Sequence, residues 1–152
     1  MSEDAKDAGL RASQNGRHDR HTGPRLAVDA VVVREGKILL VKRGRPPFMG
    51  MYALPGGFVE NGETVEAAAE RELLEETSIT ARVERLLGIY SEPGRDPRGH
   101  VASAVFLMRY ETGEARGGDD AAEAVWLPLN RLPIDMAFDH ARIISDFRPS
   151  WC

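Results

Sequence analysis

The chain has 152 residues, of which 42% are hydrophobic and 29% charged, and its formal net charge is -4. A chain of this length and composition can bury one core, so we expect one domain and not two. The acidic balance argues against nucleic acid as the main partner, and because no apolar run reaches about 18 residues, no membrane span is expected.

Residues 1–24 are polar, of mixed charge and without the apolar core of a signal peptide. We therefore predict a disordered polar tail there, followed by a single domain over residues 25–152. The one cysteine, Cys152, cannot form an intrachain disulfide. This cysteine usage fits a reducing compartment, and we expect a cytoplasmic protein.

Six segments carry the β-branched and apolar residues typical of strands. They are residues 26–33, 38–42, 51–54, 82–90, 101–110 and 124–127. Arg34-Glu35-Gly36-Lys37 separates the first two segments and indicates a hairpin. Residues 139–147 have the caps and periodicity of a helix. With a second helix, described next, these elements predict an α/β fold in which helices cover a mixed sheet.

Residues 64–77 contain no Ser, Pro or Gly and are rich in strong helix formers. They predict a helix that is opened by Asn61-Gly62-Glu63-Thr64. Residues three and four apart are neighbours on a helix, so three carboxylates, those of Glu72, Glu75 and Glu76, fall within one narrow arc. Ala67 and Leu74 lie on the opposite side, which predicts a helix that is covered on two faces.

Most glutamate-rich helices present a solvated acidic face. Here the carboxylates continue a stripe of small apolar residues, namely Val65, Ala68 and Ala69. Like charges on a semi-buried face repel one another and resist ionisation unless a cation neutralises them. Because carboxylate oxygens are hard ligands, the pattern favours Mg²⁺, or Mn²⁺, over zinc.

Residues 57–79 read G-F-V-E-N-G-E-T-V-E-A-A-A-E-R-E-L-L-E-E-T-S-I. This segment resembles the signature box of the Nudix hydrolases, G-x5-E-x7-R-E-U-x-E-E-x-G-U, in which U is a bulky apolar residue. Ser78 departs from the box, because it stands where the box has glycine, just past the predicted helix end. The resemblance implies a Nudix-type α/β/α sandwich with a mixed β-sheet, and metal-dependent hydrolysis of a pyrophosphate bond.

The resemblance also implies roles for residues of the box. The implied metal ligands are the carbonyl oxygen of Gly56 and the carboxylates of Glu72, Glu75 and Glu76. Arg71 would pair with a neighbouring glutamate such as Glu63 and orient the site. Glycine at positions 56 and 57 would let the backbone approach the metal closely.

The general base of the reaction differs among Nudix enzymes. Glu72 and Glu75 are candidates inside the box. Asp120 and Glu123 are our choices from the loop G-G-D-D-A-A-E at residues 117–123, although acidic loops that contain glycine are usually solvated turns.

The segment that joins two predicted strands, residues 90–100, reads Y-S-E-P-G-R-D-P-R-G-H. Its prolines and glycines by themselves explain a long hairpin loop. However, Arg95, Arg98 and His100 supply donors suited to phosphate, and loops carry specificity on such scaffolds.

Several short runs resemble the ADP-ribose pyrophosphatase group of the family. They are R-D-P-R-G-H, the opening L-P-G-G-F-V-E-N-G-E-T, the late A-F-D-H at residues 137–140, and the proline 14 positions past the box. This resemblance implies hydrolysis of ADP-ribose to AMP and ribose 5-phosphate. Arg95, Arg98, His100 and Tyr90 would contact the substrate. Tyr90, Phe48 and Phe138 are candidates for stacking on adenine, although aromatic side chains at such positions more often belong to the core.

Two alternatives stay open. A Nudix hydrolase of another specificity would act on oxidised nucleoside triphosphates, NADH or dinucleoside polyphosphates. A non-catalytic ADP-ribose-binding sensor would have a broken carboxylate set, whereas all three box glutamates are present here. In either enzyme reading the partner is a small-molecule nucleotide. Members of the ADP-ribose group are often homodimers, and Phe, Met and Trp side chains are available for an interface.

Overall fold

The strand β1 (Arg25–Arg34) organises the fold, because it has partners on both edges and is buried on both faces. The computed structural model describes residues 23–148. Its elements follow in chain order as β1, β2 (Lys37–Arg43), β3 (Tyr52–Ala53), β4 (Gly56–Phe58), α1 (Val65–Thr77), β5 (Thr80–Tyr90), β6 (Val101–Thr112), β7 (Ala121–Pro128) and α2 (His140–Phe147). Most of the predicted tail and Cys152 lie outside the described residues. Neither α1 nor α2 is long and apolar enough to cross a membrane.

The predicted hairpin of β1 and β2 is confirmed. Arg34 pairs with Lys37, and the two residues between them, Glu35 and Gly36, have φ angles of 53° and 74°. Positive φ at both central positions is the geometry of a two-residue type I′ turn, whose twist matches that of the flanking strands.

The strands form one mixed sheet in the order β3-β2-β1-β6-β5, with β4 pairing to β1 and β7 pairing to β2. β1 runs parallel to β6 from Arg25 to Val32, whereas its pairings with β2 and β4 are antiparallel. The predicted mixed sheet is therefore confirmed. The prediction missed β4, because its first two residues are glycines, which have low strand propensity.

One helix packs against each face of the sheet. Val28, Ala30 and Val32 belong to the core on the α1 side, and Val31 belongs to the core on the α2 side, as alternation along a strand requires. Ala68, Ala69 and Leu73 of α1 and Ile143 and Ile144 of α2 are buried against the sheet. Full burial of one such Leu or Ile contributes roughly 2 kcal/mol to stability. The predicted three-layer α/β/α arrangement is confirmed.

The helix α1 begins and ends with local backbone caps. The Thr64 side chain accepts a hydrogen bond from the Ala67 N–H at 3.0 Å. At the other end Ser78 is left-handed, with φ 64°, and its N–H donates to the Leu74 carbonyl. The predicted second covered face of α1 is wrong, because Leu74 is 50% exposed and Ala67 is also exposed. The sheet covers one side of this helix, and its other side faces solvent.

Candidate active site

A cavity of about 400 Å³ lies where β1, β4, α1 and the start of α2 meet. Its lining includes four arginines and six carboxylates: Arg25, Arg43, Arg95, Arg98, Asp29, Glu60, Glu72, Glu76, Asp96 and Asp120. The acidic net charge of the whole chain therefore coexists with a cavity that offers both cationic and anionic groups. Such a lining can hold a metal ion and an anionic substrate together.

The two glycines of β4 allow carboxylates of α1 to come close to the strand. A Cβ atom on Gly57 would lie 2.4 Å from Cδ of Glu72, and a Cβ atom on Gly56 would lie 2.1 Å from the carbonyl oxygen of Val28. Glu76 accepts a hydrogen bond from the Gly56 N–H at 2.9 Å. A side chain at either glycine would push these groups apart, which explains why the contact needs glycine.

The two carboxylates nearest to β4 are held in a poorly solvated place. The pKa of Glu76 is raised to about 8, mainly because the carboxyl group is buried. The hydrogen bond from the Gly56 N–H lowers this pKa, whereas the negative charges of Glu72 and Asp29 raise it. Burial also raises the pKa of Glu72, although Arg71 opposes this shift. Buried oxygen ligands that repel one another are stabilised by a hard cation. The residues present thus fit a divalent metal ion.

Arg71 is the centre of the polar contacts around α1. It donates to both carboxylate oxygens of Glu63, at 2.6 and 2.9 Å, to Glu72 at 2.9 Å, to Glu75 at 3.1 Å, and to the Phe58 carbonyl at 3.2 Å. The hydrogen bond from Arg71 lowers the pKa of Glu63 to about 2. The predicted pairing of Arg71 with Glu63 is therefore present.

The box glutamates have different hydrogen-bond partners. Glu72 and Glu75 converge on Arg71, whereas Glu76 turns to Gly56. Glu75 is 43% exposed and lies outside the cavity lining. Within residues 23–148, no three acidic, His or Cys side chains are already clustered as a metal cage. The predicted convergence of the three carboxylates on a metal ion stays a prediction, and without a metal Glu72 and Glu75 accept from Arg71 while Glu76 accepts from the Gly56 N–H.

The arginines of the loop between β5 and β6 differ in their surroundings. The side chain of Arg95 is 4% exposed and donates to Asp139 at 2.9 and 2.6 Å. Arg98 is 45% exposed and donates to the buried Asp96 at 3.1 and 2.8 Å. Both arginines line the cavity and both are held by a carboxylate, but the Arg95 side chain is buried and the Arg98 side chain is partly exposed.

Five of the predicted site residues lie outside the cavity lining: Arg71 and Glu75, described above, and Tyr90, His100 and Glu123. Tyr90 donates to Asp146 at 2.5 Å and packs beside Phe147, His100 contacts the Ser91 carbonyl at 2.8 Å, and Glu123 is exposed on β7 opposite Lys42. Tyr90 thus packs against α2, as the core alternative for aromatic residues predicted. Asp120 does line the cavity, where it pairs with Arg45.

Sequence reasoning missed a buried polar group at the cavity floor. Asp29 accepts a hydrogen bond from the Ser103 hydroxyl at 2.5 Å, and Nε2 of His140 lies 3.5 Å from the same carboxylate. His140 Nδ1 accepts from the Leu54 N–H at 3.0 Å, so Nε2 carries the proton of the neutral ring. An aspartate inside the apolar run 26–33 is a signal that could have identified this group, because buried carboxylates need partners.

Sequence reasoning also missed a series of arginines over aromatic rings. The guanidinium carbon of Arg25 lies 3.5 Å from the centroid of Phe58, and that of Arg98 lies 5.2 Å from Phe58 and 5.6 Å from Phe138. Arg43 lies 5.0 Å from Phe138. Rings and guanidinium groups thus alternate along one wall of the cavity, and each contact is within cation–π range.

The whole chain is similar to proteins of a known family. The profile of the family described as NUDIX domain matches residues 23–147. The chain is 55% identical over 124 residues to an ADP-ribose pyrophosphatase of Methanocaldococcus jannaschii. This match covers 82% of this chain and 73% of the relative. It is 37% identical over 120 residues to a putative 8-oxo-dGTP diphosphatase of Bacillus subtilis, with 78% of this chain and 76% of the relative covered.

One solved structure shares the fold of this chain over nearly the full length of both proteins. The NUDIX domain of Shewanella oneidensis NrtR, in a cocrystal with ADP ribose, superposes with a TM-score of 0.79 at 26% sequence identity. The match covers 94% of this chain and 98% of that one.

Proposed function

This chain belongs to the NUDIX family, and from that premise we propose that it hydrolyses ADP-ribose to AMP and ribose 5-phosphate with a bound divalent metal ion, Mg²⁺ or Mn²⁺. The observation that carries the proposal is one cavity that combines the box carboxylates Glu72 and Glu76 with the cationic groups of Arg43 and Arg98. The 55% identical relative, an ADP-ribose pyrophosphatase, supports the choice of substrate.

The proposed metal ligands are the carbonyl oxygen of Gly56 and the carboxylates of Glu72, Glu75 and Glu76. All are oxygen donors, which suits Mg²⁺. When bound, the metal would neutralise charge on the phosphates and lower the pKa of a water molecule. Arg71 orients these glutamates through the hydrogen bonds that it donates to Glu72 and Glu75.

Two arginines of the cavity lining, Arg43 and Arg98, support binding of a diphosphate. Burial lowers the pKa of Arg43, and the positive charge of Arg98 lowers it further. An anion bound beside Arg43 and Arg98 would offset the repulsion between the two guanidinium groups. The diphosphate of the substrate supplies that anion.

A general base takes the proton of the attacking water and must come within hydrogen-bond reach of it. Glu72 and Glu75 are the candidates inside the box, and Asp120 and Glu123 are those outside it. Among the latter two, the position of Asp120 in the cavity lining supports it over Glu123, which is exposed on β7. Asp120 would have to leave Arg45 to act.

A second candidate function is hydrolysis of a nucleoside triphosphate such as 8-oxo-dGTP. The observation in its favour is the 37% identity to the putative 8-oxo-dGTP diphosphatase. A third reading, an ADP-ribose-binding sensor, is favoured by the fold shared with the NrtR domain. Turnover assays together with calorimetric binding of ADP-ribose separate all three.

The test measures release of AMP from ADP-ribose with and without Mg²⁺, next to 8-oxo-dGTP, NADH and dinucleoside polyphosphates. We expect Mg²⁺-dependent turnover with ADP-ribose preferred. Preference for another substrate would replace ADP-ribose but keep the metal chemistry. Binding of ADP-ribose without turnover of any compound would favour the sensor.

A further inference from the structure

Leu54 and Pro55 lie where the chain changes from one partner strand to another. β3 pairs with β2 and ends at Ala53, whereas β4 pairs with β1 and begins at Gly56. Only two residues separate these strands, and both are buried. A buried backbone N–H needs a hydrogen-bond acceptor, and that of Leu54 lies outside the regular strand pairing.

The Leu54 N–H donates to a side chain of α2. Its acceptor is Nδ1 of His140, at 3.0 Å, and the bond is buried. Two residues further on, the Gly56 N–H donates to the box glutamate Glu76 of α1 at 2.9 Å. Since α1 and α2 pack against opposite faces of the sheet, the segment is held from both sides. Loss of either acceptor would leave a backbone donor of this segment without its partner.

The ring of His140 has a fixed orientation. Its Nε2 lies 3.5 Å from Oδ1 of Asp29, and Asp29 in turn accepts from the Ser103 hydroxyl at 2.5 Å. Because Nδ1 accepts from Leu54, the proton on Nε2 faces the Asp29 carboxylate. A carboxylate in this place fixes both the tautomer and the direction of an imidazole.

Asp29 also lies against Gly56. The two residues are paired across β1 and β4, and a Cβ atom on Gly56 would lie 2.4 Å from Oδ1 of Asp29. The carboxylate oxygen that faces His140 is therefore also the one that covers Gly56. His140 and Asp29 thus border the segment at Leu54 and at Gly56, and all four residues line the cavity.

The A-F-D-H run at residues 137–140 brings His140 to this position. The Ala137 N–H donates to the Tyr52 carbonyl of β3 at 2.8 Å, next to a parallel bridge between Tyr52 and the residue before the run. The run therefore begins beside β3. Its last residue, His140, meets Leu54, the first residue after that strand.

We propose that His140 is a positioning residue for the metal ion, because it fixes the backbone just before Gly56, while Asp29 fixes the orientation of its ring. This inference rests on the proposed function, in which the Gly56 carbonyl oxygen is a metal ligand. His140 is not a ligand itself, since Nδ1 is bonded to the Leu54 N–H and Nε2 carries a proton. A backbone ligand has no rotamer of its own, so its position depends on how the adjacent chain is held.

Two variants of His140 separate this role from packing. The side-chain oxygen of asparagine is as many bonds from Cβ as Nδ1 of histidine, so His140→Asn keeps an acceptor for the Leu54 N–H. The amide of glutamine instead matches Nε2, so His140→Gln reaches towards Asp29 and removes that acceptor. Both variants remove the ring. Phe147→Leu is the control for lost packing of α2, because Phe147 lies at the far end of this helix, beside Tyr90.

Three measurements are made on the wild type and on each variant. Calorimetry gives the affinity for Mn²⁺ in the absence of substrate. NMR gives the hydrogen-exchange rate of the Leu54 amide in the metal-free protein. Steady-state kinetics at saturating Mg²⁺ give kcat and KM for ADP-ribose.

We expect His140→Gln to weaken Mn²⁺ binding about tenfold or more and to speed exchange of the Leu54 amide about tenfold. Its kcat falls about tenfold, whereas KM stays within about twofold, since the arginines of the cavity are untouched. His140→Asn keeps the Mn²⁺ affinity and the exchange rate within about threefold of the wild type. Phe147→Leu lowers the melting temperature and changes neither quantity.

Equal Mn²⁺ affinities of His140→Asn and His140→Gln would overturn the inference, as would an equal loss in Phe147→Leu, because both outcomes assign the effect to packing. Should His140→Gln fail to fold, the wild type and His140→Asn decide the question. Fast exchange of the Leu54 amide in the wild type, or a loss of about tenfold in the Mn²⁺ affinity of His140→Asn, then refutes the role.

Binding of Mn²⁺ does not depend on turnover, so the two proposals fail separately. A protein that shows the expected order of Mn²⁺ affinities but leaves ADP-ribose intact would contradict the proposed function and keep the positioning role. A protein that hydrolyses ADP-ribose equally well in all variants would keep the function and remove His140 from it.

Discussion

The guanidinium of Arg95 forms a two-pronged ion pair with the carboxylate of Asp139, at 2.9 and 2.6 Å. This pair joins the loop between β5 and β6 to the residue that precedes α2. With its side chain only 4% exposed, Arg95 anchors the loop, whereas Arg98 is 45% exposed and pairs with Asp96 of its own loop. The two arginines of the R-D-P-R-G-H run thus have different tasks.

Asp139→Asn tests the anchor. The substitution leaves the Arg95 charge buried without its carboxylate, and we expect a loss of roughly 3 kcal/mol in the free energy of unfolding. Urea denaturation measures it. Glu111→Gln is the control, since the Arg82–Glu111 pair is exposed and contributes at most about 1 kcal/mol. Equal losses in the two variants would contradict a structural role for Arg95.

Gly57→Ala tests the contact between β4 and α1. The added methyl group overlaps the Glu72 carboxylate, which is the end of a flexible side chain, so we expect the carboxylate to move and the fold to survive. Hydrolysis should fall by about tenfold or more, because small displacements of catalytic groups are costly.

Gly94→Ala is the matched control for this prediction, because a Cβ atom at position 94 would meet nothing within 4 Å. Circular dichroism checks that both variants keep the native fold. Full activity in Gly57→Ala would show that the position of Glu72 does not matter for the reaction.

Ser78→Gly tests the end of α1. Ser78 has φ 64°, a conformation that costs an L-residue about 1 kcal/mol and that glycine adopts freely. We expect the melting temperature to rise by about 3 °C and the activity to stay the same. Ser78→Ala, which keeps the Cβ atom, should give no gain. A loss of stability in Ser78→Gly would mean that the serine side chain contributes more than its backbone strain costs.

Glu76→Gln tests the metal site with little change in packing. Glutamine keeps an oxygen that accepts from the Gly56 N–H, and it removes an ionisable group that is 9% exposed. We expect the melting temperature of the metal-free protein to stay within a few degrees, while kcat with Mg²⁺ falls by about two orders of magnitude or more.

Glu66→Gln serves as the control, since Glu66 is exposed in the first turn of α1. Titration with Mn²⁺ provides a second readout, because Glu76→Gln should bind this ion more weakly and the control should not. Unchanged Mn²⁺ affinity in Glu76→Gln would remove Glu76 from the ligand set.

The elements that depend on local sequence were predictable. The β1–β2 hairpin follows from a two-residue turn between apolar runs, and α1 follows from an unbroken run of helix formers with Thr64 as its cap. The covered second face of α1 was predicted wrongly. Periodicity marks an apolar position such as Leu74 but does not reveal whether a neighbouring layer exists to cover it.

The parts of the site that depend on tertiary contacts were not predictable. Arg25, Arg43 and Phe58 occupy ordinary strand positions, and only the folded sheet brings them to one cavity. Tyr90 and His100 belong to or border the loop that carries Arg95, yet their side chains turn away from the cavity. Proximity in sequence to a functional loop does not fix the direction of a side chain.

The parallel pairing of β1 with β6 joins two distant parts of the chain at the centre of the sheet. The adjacent hairpin gives β1 only a short register with β2, whereas its long register with β6 runs from Arg25↔Val101 to Val32↔Met108. Such distant contacts carry a large loop-closure entropy and slow the folding of a chain. A chain that stops before Val101 would contain α1 but would lack β6, the strand that lies between β1 and β5 in the sheet. The contacts of the acidic helix with Gly56 and Arg71 are local in sequence, so the pairing of β1 with β6 is the long-range step that the complete sheet requires.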